Sequence, residues 1–200
     1  EPAKKTVERS YSREQVLDSR FVSGAERPYF TPGFPPAVPL LHGSRVRSFA
    51  GEPTASVAVD VSRPYKSDTG QLAWHVNADD NGLVTINSPR SQGLIGFVKA
   101  IGQRASNLAA DVKNDFCAIM VNSLESQPIS SASRLLLTTG SRVENTGMQW
   151  DAARARVTNQ GRSPSLIEPV TGTITLCNLE PATRDSVHAL GGSGLPIGVP

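Results

Sequence analysis

Short runs in which apolar and polar residues alternate recur through most of this 200-residue chain, separated by clusters of Gly, Pro, Asn, Asp and Ser. From residue 45 onward they follow one another at intervals of roughly 8–15 residues, a spacing typical of all-β domains. Because no amphipathic segment of helical length alternates with them, the pattern predicts an all-β fold, an antiparallel β-sandwich or jelly-roll. The predicted strands are 45–49, 55–61, 71–76, 83–87, 93–98, 115–121, 134–139, 165–168, 172–177, 185–190 and 195–199.

The N-terminal part of the chain has a different pattern. Ser12–Gln15 has the Ser-x-x-Gln form of a capping box, and apolar residues follow at helical spacing, which predicts a short helix within 6–22. Five of the residues in 28–39 are proline, which excludes a helix interior or a central strand there. We therefore predict an N-terminal arm or linker at 1–44, a short helix followed by an extended segment, and a β-sandwich domain at 45–200.

Three segments between the predicted strands are predicted as turns or loops. Asp79–Gly82 ends in Asn-Gly, a strong hairpin signal, with a surface calcium contact as the lesser alternative. Gly191–Gly194 does not precede a helix and is predicted to be a turn rather than a phosphate-binding loop. Gln149–Val157 is predicted to be a second short helix or a loop.

Charge and composition exclude several classes of function. The net charge is only +2 and no run of Lys or Arg concentrates it, so we expect no nucleic acid partner and no membrane surface.

Glu1–Lys5 lacks the apolar stretch of a signal peptide. Cys117 and Cys177 both lie in apolar runs and are predicted to be buried thiols, with a disulfide as the alternative. The compartment stays open, with an extracellular or periplasmic location favoured.

The common catalytic and metal-binding motifs are absent from the sequence. No Gly-x-Ser-x-Gly elbow, phosphate loop or zinc-ligand spacing occurs, and His42, His75 and His188 are widely scattered. We therefore predict no metal and no cofactor. Carboxylates are the only abundant side chains that could carry out catalysis.

Two loops combine an acid, small hydroxyl groups and a nearby tryptophan. Residues 64–70 lead to Trp74, and residues 141–148 lead to Trp150. Sugars are bound by planar hydrogen-bonding groups together with an aromatic ring, so both loops are candidate glycan subsites. The candidate substrate-binding residues are Tyr65, Thr69, Trp74, Asn145 and Trp150.

If the chain is an enzyme, Asp68 and Glu144 are the candidate catalytic pair. A glycosidase needs two facing carboxyl groups, one of which has a raised pKa and acts as the acid. The structural alternative is that the acids cap turns and the aromatic rings fill the core. Trp74 alternates with His75 and is therefore expected to point inward.

Ordered short segments carry a resemblance to a known family. They are 67–74, 82–93, 95–97, 123–125, 135–138, 144–150, 164–170 and 187–190. This order resembles the C-terminal β-sandwich region of large bacterial glycoside hydrolases whose catalytic part is a TIM barrel, and it covers most of the chain from Arg45. In that family the catalytic carboxylates lie on the barrel, which has no counterpart here, so the resemblance assigns no catalytic residue. It implies a fragment, or a stand-alone descendant, of a longer enzyme.

These observations leave three hypotheses. The first is a carbohydrate-associated accessory module that packs on a catalytic barrel domain, or on a second copy of itself, through the apolar arm with Tyr29, Phe30 and Phe34. The second is a small stand-alone glycoside hydrolase that uses Asp68 and Glu144. The third is a free-standing glycan-binding module. In each case the expected ligand is a polysaccharide or oligosaccharide.

Overall fold

The computed structural model describes residues 2–14, 38–52, 62–181 and 186–198. The predictions of a helix after Glu14, of an extended proline-rich segment up to residue 37 and of a strand at 55–61, and the start of the predicted run at 185–190, concern residues outside these ranges. The strands are β1 (Thr6–Ser10), β2 (Gly43–Ser48), β3 (Tyr65–Lys66), β4 (Leu72–Val76), β5 (Gly82–Asn87), β6 (Ser91–Gly96), β7 (Leu108–Val112), β8 (Cys117–Ser123), β9 (Leu135–Gly140), β10 (Val143–Thr146), β11 (Gln149–Trp150), β12 (Val157–Asn159), β13 (Arg162–Ile167) and β14 (Gly172–Leu176), and the helical turns are α1 (Val38–Leu41) and α2 (Val98–Ile101).

The predicted all-β class is confirmed. The largest sheet has six strands in the order β3-β4-β5-β6-β8-β9, and every pairing in it is antiparallel. Among the described pairs, only β1 and β2 run parallel. Whether the layers form a sandwich or a jelly-roll stays a prediction.

One face of the six-stranded sheet forms the main core and is called the core face. The side chains that point to it from the central strands include Leu83, Leu94 and Ile119, none of which has any exposed area. The antiparallel pair β7–β14 and helical turn α2 pack against this face. Gln92 also points to it, and its amide is satisfied by Asn107, at 2.9 Å from Gln92 Nε2 to Asn107 Oδ1.

The opposite face of the same sheet is apolar but only partly covered, and is called the open face. None of its side chains is fully buried. Because directly paired residues share a face, the strand register assigns it the following apolar side chains: Tyr65, Leu72, Trp74, Val76, Val84, Ile86, Ile95, Ala118, Met120 and Leu136. The expectation that Trp74 points inward is wrong, because its pairing with Val84 places it on the open face, where it is 37% exposed.

The N-terminal segment contributes a strand that the sequence analysis missed. Thr6–Ser10, at the start of the segment in which a short helix was predicted, forms β1 and pairs with β2 across the predicted boundary at residue 44. Its burial alternates, with Val7 and Arg9 buried, and this period of two belongs to a strand. Val7, Tyr11 and Val38 form a small second core with Val46.

The remaining segments form short pairs and turns. Gln149–Val157 is not helical, since β11 and β12 pair across a loop in which Asp151 Oδ1 accepts the Ala155 N–H at 2.8 Å. The turn prediction for Gly191–Gly194 is confirmed by a hydrogen bond from the Gly194 N–H to the Gly191 carbonyl, at 2.9 Å. In the described part of the chain, no helix is long and apolar enough to cross a membrane.

Candidate functional site

Asp68 lies in the turn between β3 and β4 and holds the N-terminal segment against the sheet. Its carboxylate accepts the backbone N–H groups of Lys4 and Lys5 at 3.1 and 2.9 Å. It also shares a hydrogen bond with His42 Nδ1 at 3.0 Å. The His42 contact and the two backbone donors lower the pKa of Asp68 to about 2. This carboxyl group is therefore ionised throughout the neutral range and has no proton to give.

A cavity of about 260 Å³ lies beside this hydrogen-bonded pair. It is lined by Leu41, His42, Ser62, Pro64, Lys66 and Asp68. Since His42 is engaged by Asp68, the pair anchors the end of α1 to the β3–β4 turn. The backbone N–H of Asp68 strengthens this anchor by donating to the Leu41 carbonyl at 2.8 Å.

Tyr65 contacts two other side chains at the edge of the open face. The rings of Tyr65 and Trp74 lie 5.4 Å apart with planes tilted by 42°. The Arg63 guanidinium lies 6.0 Å from the centre of the Tyr65 ring. Thr69 is turned into its own loop, where Thr69 Oγ1 lies 3.0 Å from Ser67 Oγ. Tyr65 and Trp74 thus lie side by side, and the Thr69 hydroxyl is engaged within its own turn.

The second predicted loop lies on the smaller strand pairs. Glu144, on β10, forms an ion pair with Arg154, and the Arg154 guanidinium lies 5.4 Å from the centre of the Trp150 ring. Asn145 uses both ends of its amide: Nδ2 donates to the Gln160 carbonyl at 3.0 Å and Oδ1 accepts the Ser165 hydroxyl at 2.8 Å. Arg154 therefore contacts both Glu144 and Trp150, whereas the Asn145 amide is engaged by Gln160 and Ser165.

The two predicted loops do not make one site. Asp68 belongs to the six-stranded sheet, and Glu144 belongs to the β10–β13 pair. Within the described ranges no hydrogen bond, ion pair or ring contact joins the two groups. Their partners differ as well, since Asp68 is bound to His42 and backbone amides, and Glu144 is bound to Arg154.

Two other predictions concern turns and thiols. The Asp79–Gly82 turn is confirmed, because Asn77 Oδ1 accepts the N–H groups of Asp79 and Asn81, each at 3.0 Å. Both cysteines are free, so the disulfide alternative is wrong; Cys117 is buried and Cys177 is half-buried. No cluster of three or more His, Cys, Asp or Glu side chains suited to a metal ion occurs in the described part of the chain.

Sequence reasoning missed a groove at one end of the six-stranded sheet. The groove has a volume of about 450 Å³. Its lining residues are Asn81, Phe97, Lys99, Ala100, Asp115 and Arg142. They are scattered over four connections, so no local pattern in the sequence indicates the groove.

The open face did have a sequence signal. Adjacent residues are both apolar at Leu83–Val84 in β5, at Leu94–Ile95 in β6 and throughout Cys117–Val121 in β8, whereas a strand with one solvated face alternates strictly. Both faces of these strands therefore carry apolar side chains that are suited to burial.

Comparisons with known proteins add nothing to these observations. No protein-family model matches the chain, and neither the curated proteins nor the solved structures contain a significant match.

Proposed function

We propose that this chain is a non-catalytic accessory module of a larger carbohydrate-active enzyme, and that its open face packs against the catalytic domain. The observation that carries the proposal is the contrast between the two faces of one sheet. Every core-face side chain of β8 is buried, and every open-face side chain of β8 is only partly covered. The resemblance to a sandwich that accompanies a catalytic barrel supplies the kind of partner.

The open face is suited to a partner whose contacting surface is itself apolar and uncharged. Lys66 is the only Asp, Glu, Lys or Arg residue in the six strands, and its pairing with Ala73 places it on the core-face side. Leu72 and Trp74 remain 41% and 37% exposed on the open face. A charged partner would lose its hydration there without gaining an ion pair. A contiguous apolar patch of this kind marks an interaction surface.

The size of the face lies at the lower limit of a specific interface. Five full strands of five to seven residues, at ~4.8 Å spacing and ~3.3 Å per residue, give a footprint of about 475 Å². A partner that covers the face then buries about 950 Å² in total, close to the ~1,000 Å² of a specific interface between separate molecules, so we expect measurable but weak association when the two are not tethered. Interfaces between domains of one protein need less, because the linker supplies a high effective concentration.

The stand-alone hydrolase receives less support from the geometry. A glycosidase acid must carry a proton at the working pH. Asp68, with its pKa lowered to about 2, carries none. Glu144 is bound to Arg154 and lies on another sheet.

The test uses two lysine substitutions at exposed leucines. Leu72→Lys places a charge on the open face, and Leu124→Lys is the control, since Leu124 is 53% exposed and lies outside the six strands. Each purified chain is mixed with the glycoside hydrolase barrel encoded in the same polypeptide or gene cluster, and association is followed by sedimentation velocity.

We expect the unmodified chain and the Leu124→Lys variant to bind the barrel, and the Leu72→Lys variant to bind at least about tenfold more weakly. Equal binding by both variants contradicts the proposal. So does a homodimer that only Leu72→Lys disrupts, or the absence of any encoded barrel. Turnover of a polysaccharide that is lost in a folded Asp68→Asn/Glu144→Gln variant would favour the hydrolase instead.

A further inference from the structure

We propose that the groove at the end of the six-stranded sheet is a binding subsite for one neutral pyranose unit of a glycan. The choice of a sugar rests on the proposed carbohydrate association, whereas the groove itself is separate from the open face. Its lining residues lie in the connections at one end of the strands, and the open face lies across the strands. Each proposal can therefore fail without the other.

The strand order of the six-stranded sheet determines where the groove lies. Because β5, β6, β8 and β9 are antiparallel neighbours, the start of β5, the end of β6, the start of β8 and the end of β9 meet at the same end of the sheet. Asn81 precedes β5, Phe97 follows β6, Asp115 precedes β8 and Arg142 follows β9. Residues distant in sequence thus converge on a single groove of about 450 Å³, within the ~300–1,000 Å³ typical of ligand sites.

The aromatic wall of the groove is held in place. The Phe97 backbone N–H donates to the Gly82 carbonyl at 2.9 Å. The Phe97 ring meets the Phe116 ring edge-on, with centroids 5.6 Å apart and planes at 82°. Phe97 is half-buried and Phe116 is 38% exposed, so part of this aromatic pair stays open to a ligand. An aromatic surface of this kind can accept the apolar C–H face of a pyranose ring.

The opposite wall is fixed through Ser141. The Ser141 hydroxyl lies 2.7 Å from both the Phe116 carbonyl and a Glu168 carboxylate oxygen. The Glu168 backbone N–H donates to the Arg142 carbonyl at 2.9 Å. The loop that carries Arg142 is thereby tied to the end of β13, while the Arg142 side chain remains exposed.

The charged side chains that line the groove do not form ion pairs with one another. In the described residues, Lys99, Asp115 and Arg142 form no ion pair within 4.0 Å, although all three line the same groove. A carboxylate accepts hydrogen bonds, and the lysine and arginine donate them. Neighbouring hydroxyl groups of a pyranose, each both donor and acceptor, match such a mixed set.

The charge balance selects a neutral sugar. Lys99 and Arg142 carry two positive charges, and Asp115 carries one negative charge. Glu168 does not line the groove, but its carboxylate is held by the Ser141 hydroxyl next to Arg142 and adds a second negative charge beside it; the hydrogen bond from Ser141, more than the charge of Arg142, lowers the pKa of Glu168. The four charges sum to zero, so the groove offers no net attraction to a uronate or a sulfated sugar.

The test is an NMR titration of the full chain with a panel of neutral oligosaccharides: cello-, xylo-, manno- and galacto-oligosaccharides. The backbone amides of Phe97 and Ala100 report binding in the groove. The variant is Asp115→Asn, and the matched control is Asp111→Asn, because Asp111 is also an exposed aspartate but lies on β7, away from the groove. Each titration is run at about 0.1 M and about 1 M salt, where the Debye length is about 10 and about 3 Å.

We expect at least one neutral oligosaccharide to shift the groove amides, with a dissociation constant that changes less than about twofold between the two salt concentrations. We expect Asp115→Asn to weaken binding about tenfold or more, and Asp111→Asn to leave it unchanged. The inference is overturned if no panel member shifts these amides, if both variants behave alike, or if binding weakens strongly with salt. Loss of sugar binding while barrel association persists refutes this inference alone.

Discussion

Two isoleucines on opposite faces of the six-stranded sheet test the difference between those faces. Ile119 points to the core face and has no exposed area, and Ile95, on the neighbouring strand, points to the open face and is partly exposed. Replacement of either by Ala removes the same three carbon atoms and the same strand preference. At ~0.8 kcal/mol per buried carbon, the transfer free energy at Ile119 is about 2.4 kcal/mol. The cavity left behind raises the expected cost to about 3–4 kcal/mol.

At Ile95 the expected cost is smaller. The side chain is already partly in water, and the space that it leaves opens to solvent, so the cavity contribution falls away. We expect Ile95→Ala to lower the free energy of unfolding by about 1 kcal/mol. The difference between the two variants is therefore about 2–3 kcal/mol.

The assay is equilibrium urea unfolding of the isolated chain, followed by far-UV circular dichroism, with the slope of the free energy against urea concentration fitted separately for each variant. The slope serves as the control, because a changed slope signals a change in the folded or denatured state. Equal losses of stability in the two variants would refute the reasoning, since they would mean that the open face is covered in the isolated chain.

Three further predictions concern single residues. The pKa of Asp68 is lowered to about 2 in the folded chain, so its contribution to stability is present above about pH 4 and is lost as the pH falls towards 2. Asp68→Asn should remove that part of the pH dependence of stability, which urea unfolding across this range measures. Cys177 should react with a thiol reagent in the native chain, whereas Cys117 should react only after unfolding, because Cys117 is buried and burial raises the pKa of its thiol. Two fast-reacting thiols in the native chain would contradict this prediction. Gly96→Ala should lower the free energy of unfolding by about 3 kcal/mol or more, because a Cβ there stands 2.2 Å from a backbone carbonyl oxygen. Gly147 also has a positive φ but lies in open space, so Gly147→Ala should cost only about 1–2 kcal/mol. Thermal unfolding measures both variants, and equal shifts in their melting temperatures would contradict the steric argument.

Local patterns were sufficient to predict the central sheet. Strands β4, β5, β6, β8 and β9 lie close to the predicted runs, and the Asn-Gly signal indicates the β4–β5 hairpin, although the turn itself spans 77–81 and Gly82 is the first residue of β5. These elements depend on period-two alternation and turn chemistry, which are both encoded within a few residues. Strand β7 was missed because its Leu-Ala-Ala-Asp-Val sequence has little alternation and owes its strand form to pairing with β14.

The orientation of side chains was harder to predict than the strands. Trp74 was expected to point inward because it alternates with a polar residue, yet His75 occupies the core-face side and Trp74 the open face. When both faces of a sheet are apolar, alternation cannot tell which one meets the core. Register alone, set by pairing with Val84, decides the question.

The candidate site depended even more on long-range structure. The sequence placed Glu144 near Trp150 because they are six residues apart, but it had no means to show that Arg154 lies between them in contact. The groove at the sheet end joins residues as far apart as Asn81 and Arg142, which only the strand order brings together. Ion pairs and grooves of this kind follow from topology rather than from spacing.

The most direct test of the docking proposal uses Trp74 as a reporter on the open face. In a Trp150→Phe variant it is the only tryptophan in the chain. Acrylamide quenching and the emission maximum are measured with and without the accompanying glycoside hydrolase barrel. We expect accessible, red-shifted emission in the isolated chain, and lower quenching with a blue shift when the barrel is added. Quenching that is low from the start, or that does not change when the barrel binds, would contradict the assignment of the open face as the docking surface.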